Sequence, residues 1–260
     1  MDEISLSISV NLEPFPVAEN RPAAKDLGRT VERLIELLGS EGVAATWVAN
    51  GLQSSEFVAR VLAADDCHEA ALSVPPAWLI RENGRTRFAA EFIARKQRAN
   101  AAGISLSTLA IDDELPSEAF ELLVRRGITA IRTERPPAIR LARRDGSSGS
   151  GIAPIRYGLW RVACEMRYRG GGWLAEKLAA ERICSEIDRR IAASSAGHLV
   201  IDAPAIALRT NAKLNGLGTI LRHIRRERPW SLRVGTIAET VARLTAPKSN
   251  RSAQSILRAA

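Results

Sequence analysis

Seven times along this chain a short run of β-forming residues returns, and after most of them comes an amphipathic run of helical period. SLSISVN (5–11) alternates apolar and polar residues, the period of a strand. The segment AAKDLGRTVERLIELLGSEG follows it, with Leu27, Val31, Leu34, Ile35 and Leu38 on one helical face. VAATWV (43–48) is the next strand, entered after a stop at Gly42. Ser54 or Ser55 is placed to cap the helix that carries Phe57, Val58, Val61 and Leu62. HEAALS (68–73), ISLSTLAI (104–111), ITAIRT (128–133), HLVIDAP (198–204) and SLRVG (231–235) complete the strand set. Helices are expected over 87–102, ended by Gly103, and from Pro116 through Phe120, Leu123 and Val124 to the stop at Gly127. A long helix over 173–194 carries Leu174, Leu178, Ile187 and Ile191 as its stripe. LGTILRHIRRER is another, and Thr236 with Glu239 fits a capping box. Such alternation demands a mostly parallel sheet with helices outside it. An open doubly wound sheet and a closed barrel both satisfy it.

The rhythm breaks once, over 134–172, where ERPPAIR, DGSSGSG and RGGG read as a long irregular insertion. The division expected is a single domain over 1–246 and a flexible tail over 247–260. No apolar run reaches the ~20 residues a bilayer span needs. MDEISLSISV lacks the basic and apolar regions of a signal peptide. Three cysteines (Cys67, Cys164, Cys184), an odd number without paired spacing, suit a reducing compartment, so a cytoplasmic location is expected. The net charge of +8 is carried largely by arginine. Its clusters (Arg140, Arg143, Arg144; Arg222, Arg225, Arg226, Arg228) lie far apart and have no nucleic-acid motif beside them, so they read as solvated faces. No Gly-x-Gly-x-x-Gly follows the first strand and no Walker loop occurs, which leaves dinucleotide and nucleoside triphosphate sites without support.

In either parallel architecture a site lies at the C-terminal ends of the strands. The residues there are Asn11, Glu13, Ser73 to Ala77, Asp112, Asp113 and Asp202. The three histidines (His68, His198, His223) show no His-x₃-His pair, and zinc needs three or four converging ligands. His198 reads as structural and His223 as a surface residue. Cys67 and His68, as neighbours on a strand, are expected to point to opposite faces. Glu13, Asp112, Asp113 and Asp202 can instead form a carboxylate site, for glycosidase-like acid–base work or for a hard cation.

At these strand ends, and over about residues 5–245, the chain resembles the polysaccharide deacetylase family, the nodulation-protein-B homology fold. SISVNLEPF is similar to the family's opening strand, and RTVERLIELLGSEGVAATWVANG to its leucine-rich helix and following Ala-Thr-Phe-Phe-Val strand. CHEAALSVPPA aligns with Gly-His-Glu-Ile-Gly-Asn-His-Thr-x-x-His. STLAIDDELPSEAFELLVRRGITAIRT, GHLVIDAP and VGTIAETVARL resemble the segments that follow. The resemblance implies an α/β fold, a distorted (β/α)7 barrel of the polysaccharide deacetylase type. It also implies metal-assisted hydrolysis of N-acetylated sugars, with one carboxylate and two histidines on a divalent ion, an Asp base and a late His acid. Residue by residue, the base position holds Asn11, the carboxylate ligand position Glu13, and the histidine ligands fall on Ser73 and Ala77. The arginine-bearing turn reads Ile111-Asp112-Asp113, and the late His falls on Asp202.

Asn11 and Asp202 therefore mark substituted catalytic positions, and Glu13, Ser73 and Asp112 are candidate substrate contacts. No metal, zinc included, and no other cofactor is expected. The function expected is that of a deacetylase homologue in polysaccharide metabolism that has lost catalysis and acts by binding a glycan, an amino sugar among them, or a partner protein. A hydrolase with an altered carboxylate site is the alternative, and a basic module for anionic polymers or membrane surfaces ranks third.

Overall fold

The structure, a computed structural model, describes residues 4–13, 24–50, 52–79, 84–112, 115, 118–134, 151–209, 214–227 and 231–246. In chain order the elements are β1 (Ile4–Asn11), α1 (Ala24–Ser40), β2 (Thr46–Ala49), α2 (Leu52–Ala64) and β3 (Glu69–Val74). After a short 3₁₀ turn (Pro76–Trp78) come α3 (Gly84–Ala101), β4 (Leu106–Ile111), α4 (Ala119–Arg125), β5 (Ala130–Thr133), β6 (Ile152–Pro154), β7 (Trp160–Ala163) and β8 (Met166–Tyr168). The chain continues through α5 (Trp173–Ala192), β9 (Gly197–Asp202), α6 (Ala203–Ala207), α7 (Asn215–Glu227), β10 (Leu232–Gly235) and α8 (Ile237–Thr245).

All these strands belong to one curled sheet of order β6-β7-β5-β4-β3-β2-β1-β9-β8, with β10 on β1. The neighbours are parallel except β6 with β7. Consecutive neighbours from β1 to β5 rule out the Rossmann order. Closure comes from one run of chain. β7 pairs with β5, and after Cys164 and Glu165 the same run continues as β8 and pairs with β9. The two ends of the sheet are thus covalently continuous, and the run Trp160–Tyr168 serves both edges. The pairing arrives at β7 at Trp160–Ala163 and leaves from Met166–Tyr168, further along the run, the stagger that tilted strands need to close.

β1 shows why this sequence makes a barrel. Leu6, Ile8, Val10 and Leu12 form one buried face and join the core under the helices. Ser7, Ser9 and Asn11 form the other face and are equally buried, but inside the barrel. The helices hold the expected apolar faces: Leu27, Val31, Leu34 and Leu38 of α1 are buried, as are Phe57, Val58 and Val61 of α2. Gly103 and Gly127 adopt φ of +74° and +75° where helices give way to strands, a conformation glycine takes without steric cost.

Five expectations need correction. α2 starts at Leu52, so Ser54 and Ser55 lie within the helix rather than at its N-cap position. The irregular segment expected over 134–172 contains β6, β7 and β8, two of which close the barrel. The strand expected over 198–204 stops at Asp202, which caps α6 by accepting from Ala205 N at 3.2 Å. Val124 is exposed, and so are Leu174 and Leu178, because α5 buries Glu176, Ala180, Ile183 and Ile187. Cys67 and His68 lie in the turn before β3 rather than on the strand. Pro116 and the tail after Ala246 lie outside the described residues. Thr236 and Glu239 do form the capping box.

Candidate functional site: an ion-paired barrel mouth

The interior is built in layers, from the strands' N-terminal ends to their C-terminal ends. At the floor, Glu69 accepts from Thr46 Oγ1 (2.7 Å), Ser107 Oγ (2.8 Å), Thr108 Oγ1 (2.5 Å) and Ala238 N (3.0 Å). Ile237 N donates to Thr46 Oγ1 at 2.8 Å. The first N–H groups of α8 are therefore satisfied by barrel side chains, and a carboxylate sits at the positive end of the helix dipole. In the middle, Val48, Ala71 and Ala110 pack together. Beside them His198 is fully buried, with Ser7 Oγ 2.8 Å from Nδ1 and Ser9 Oγ 3.1 Å from Nε2. Burial, helped by the Arg132 charge, holds its pKa well below the ordinary histidine value, so the ring is neutral.

At the mouth, Asn11 and Asp202 are register partners on β1 and β9. Arg132 of β5 reaches them across the barrel and is 0% exposed. Its Nη1 donates to Ser9 Oγ at 2.9 Å and to Asn11 Oδ1 at 2.5 Å, and its Nη2 donates to Glu134 Oε1. Asn11 Nδ2 donates to the same carboxylate oxygen at 3.4 Å. Arg167 of β8 pairs with Glu134 and lies 3.7 Å from Asp202 Oδ2, with Arg169 Nε 3.6 Å from that atom. Burial lowers Arg132 and Arg167 to about 10, which leaves both charged at neutral pH. Burial pushes the Asp202 carboxyl up, against the Ala205 N–H and the three arginines, which pull it down.

Of the residues expected at the site, Asn11 and Asp202 meet in this network. Glu13 sits two residues beyond Asn11 and accepts from Asn50 N at 3.1 Å. Ser73 is buried on β3 opposite Ala110 of β4, and Asp112 follows the end of β4, where its charge acts on Arg167. Asp113 lies outside the described residues. The mouth is not acidic, because Arg132, Arg167 and Arg169 balance Glu134 and Asp202. These arginines and Glu134 were missed. Their signal is present: ITAIRTE puts Ala130, Arg132 and Glu134 on one strand face, and MRYR puts Arg167 and Arg169 together.

The family's divalent metal does not fit these residues. Ser73 and Ala77 offer no imidazole, Ala77 is exposed within the 3₁₀ turn, and Glu13 is engaged by a backbone N–H. A guanidinium already occupies the centre of the mouth. Among the described residues, Asp65, Cys67 and His68 do place ligand-type atoms within 4.8 Å of one another. That cluster sits at the opposite end of the barrel, before β3. His68 Nδ1 accepts from Ala45 N at 3.1 Å, which leaves the ring proton on Nε2, and burial with the Asp65 charge pushes the Cys67 thiol up to about 12. His68 therefore offers no free nitrogen lone pair to a metal.

The sequence matches no protein-family model and no curated protein. In structure the chain is similar to a Mycobacterium smegmatis protein assigned as a polysaccharide deacetylase, with TM-score 0.69, 13% identity, and 94% of this chain and 91% of that one covered. It is similar to PuuE allantoinase, with TM-score 0.63, 12% identity, and 95% and 92% covered. It is also similar to a CE4-family pseudoenzyme from Bacillus anthracis, with TM-score 0.52, 11% identity, and 92% and 66% covered. The barrel closed by β7 and β8 has the fold of the polysaccharide deacetylases to which it is similar.

Proposed function

We propose that this chain is a divergent, metal-free member of the polysaccharide deacetylase family that binds a glycan at the barrel mouth without hydrolysing it, in carbohydrate metabolism. The observation that carries the reading is the Asn11–Arg132 contact. Asn11 stands where the resemblance places the general base, and an amide cannot take a proton near neutrality. Its carbonyl oxygen is held by a buried guanidinium, a cation that opposes a second cation nearby. One structural neighbour is itself a pseudoenzyme, so the scaffold persists without catalysis in at least that case. Binding of a partner enzyme at the same mouth is the variant of this reading. A carboxylate-based hydrolase is less favoured, because Glu134 and Asp202 are each ion-paired to arginine, and neither is poised as a base. A cytoplasmic location fits the three free cysteines.

Elemental analysis of the purified chain, together with acetate release from N-acetylglucosamine oligomers, tests the proposal. The expected result is substoichiometric zinc and no acetate. About one zinc per chain retained after mild chelation, or acetate release that follows enzyme concentration, overturns it.

A further inference from the structure

The first two turns of α5 expose an apolar face that the fold does not use. Glu176, Ala180, Ile183 and Ile187 face the barrel. Trp173, Leu174 and Leu178 are 78%, 59% and 56% exposed. At about 100° per residue Lys177, Leu174 and Leu178 fall away from the buried stripe, and Trp173 lies between that stripe and Lys177, exposed at the first position of the helix.

The run before the helix places this face beside the mouth. Arg167 and Arg169 of MRYRGGGW reach inward to Asp202, and the three glycines turn the chain directly into α5. The turn is tight. A Cβ on Gly170, whose φ is +65°, would come 3.2 Å from Ile206, and one on Gly171 would come 3.0 Å from Ala175 and 3.6 Å from the Arg209 guanidinium. The turn into α5 is therefore pressed against Ile206 of α6 and against Arg209, and Leu208 and Arg209 just beyond α6 are exposed. Arg169 and Trp173 are four residues apart, which puts them within about 14 Å of each other, the reach of a short oligosaccharide.

We propose that Trp173, Leu174 and Leu178 form a sugar-stacking platform that extends the mouth, and that Arg169 and Arg209 select a glycan carrying carboxylates. The proposal rests on the glycan-binding reading and adds its ligand class. A pyranose ring offers an apolar C–H face to an indole, whose broad surface with one polar edge suits half-wet contacts. Charge decides the class. Glu134 and Asp202 are buried and already matched by arginine, whereas Arg169 is 57% exposed and its contact with Asp202 is long. Arg167 lies about as near the same carboxylate oxygen, so Arg169 can turn to an anionic ligand and leave Asp202 with a guanidinium partner. A second copy of the chain fits less well, because three side chains on two helical turns fall short of the roughly 800 Å² per partner of a stable interface.

The test is calorimetric titration of the full chain with three hexasaccharides: an oligogalacturonate, a neutral cello-oligomer and a glucosamine oligomer. The acidic oligomer is expected to bind most tightly and to weaken with salt. Trp173→Ala is expected to lose at least tenfold in affinity for it, and Arg169→Gln to bring it down to the neutral oligomer. Binding of glycans unchanged by both substitutions overturns the platform and leaves the glycan reading standing. Preference for the glucosamine oligomer overturns the ligand class. Failure of all three to bind overturns the glycan reading, and the platform with it. Sedimentation showing a dimer that Leu174→Ser dissolves assigns the face to a second copy and overturns the proposal.

Discussion

Replacing Arg132 with Met isolates what the buried guanidinium does. Met is of similar length and apolar, so the change removes charge and donors and leaves a small volume defect. Arg132 is 0% exposed, donates to Ser9 and Asn11, and pairs with Glu134, whose side chain is 4% exposed. Breaking a buried pair by removing one partner costs about 3–5 kcal/mol. Arg167 still neutralises Glu134, which places this term near the lower end, about 3 kcal/mol. Asn11 Oδ1 loses its short bond, and leaving such an acceptor unsatisfied adds about 1 kcal/mol or more. The sum is about 4 kcal/mol, a fall of roughly 8–16 °C in Tm for a chain of this size. Urea unfolding followed by far-UV circular dichroism and tryptophan fluorescence reads the same quantity. The double variant Arg132→Met/Glu134→Leu removes both charges, so it is expected to lose less than the sum of the two single variants, with a coupling of about 2 kcal/mol. A single-variant loss under about 1 kcal/mol, or strictly additive losses, refutes the claim that this pair anchors the mouth.

Two further outcomes follow from buried polar groups. His198 and His68 both have lowered pKa values because burial disfavours the imidazolium, so below pH 6.5 the unfolded chain binds protons that the folded chain does not. Stability is therefore full above the unfolded histidine pKa and falls as pH drops below it, by about 1.4 kcal/mol per pH unit for each ring that stays neutral. Urea midpoints between pH 7.5 and 5 check this, and His198→Gln is expected to flatten the slope; an unchanged slope in that variant refutes the assignment. Glu69→Ala leaves four donors at the floor without their acceptor, and is expected to cost about 3 kcal/mol and to speed amide exchange in the first turn of α8 above all. Exchange that quickens evenly over the whole barrel contradicts the anchoring role.

The outside of this barrel is legible in the sequence and much of the inside is not. The faces under the helices follow an unambiguous rule. Leu27, Val31, Leu34 and Leu38 recur at helical spacing, and Leu6, Ile8 and Val10 at strand spacing. The rule fails on α5, where Leu174 and Leu178 are as apolar as Ile183 and Ile187 but face solvent. Period alone does not distinguish a core stripe from an exposed one when a helix carries both. The segment over 134–172 misled for another reason. Its glycines, prolines and serines are loop residues, and strands of three or four residues are too short to establish a period against them. The site was half legible. Asn11 and Asp202 were found because strand ends are where sites lie, but the partners that define their chemistry come from β5 and β8. β8 is the neighbour of β9, and the curl of the sheet brings β5 across the barrel to β1.

The polarity of the lining explains why arginine is the residue that stands at this mouth. Serines, a histidine, an asparagine and carboxylates project inward because the apolar face of every strand is committed to the helices. An interior so built has to balance its own charge, since an unpaired buried carboxylate costs several kcal/mol. In the metal-bearing design that the resemblance implies, a divalent ion supplies the positive charge. Here Ser73 and Ala77 offer no imidazole, and Glu134 and Asp202 are buried in the lining. Arg132 and Arg167 supply fixed positive charge, and each guanidinium brings five donors in a planar fork that can engage two or three acceptors at once. Lysine, with a single point charge, does not hold Ser9, Asn11 and Glu134 in that geometry. The balance also bears on recovery of catalysis: Ser73→His and Ala77→His beside Glu13 rebuild the ligand set that the resemblance implies, and Asn11→Asp its base, next to a cation that repels the metal. Arg132 has to be replaced as well before zinc is taken up.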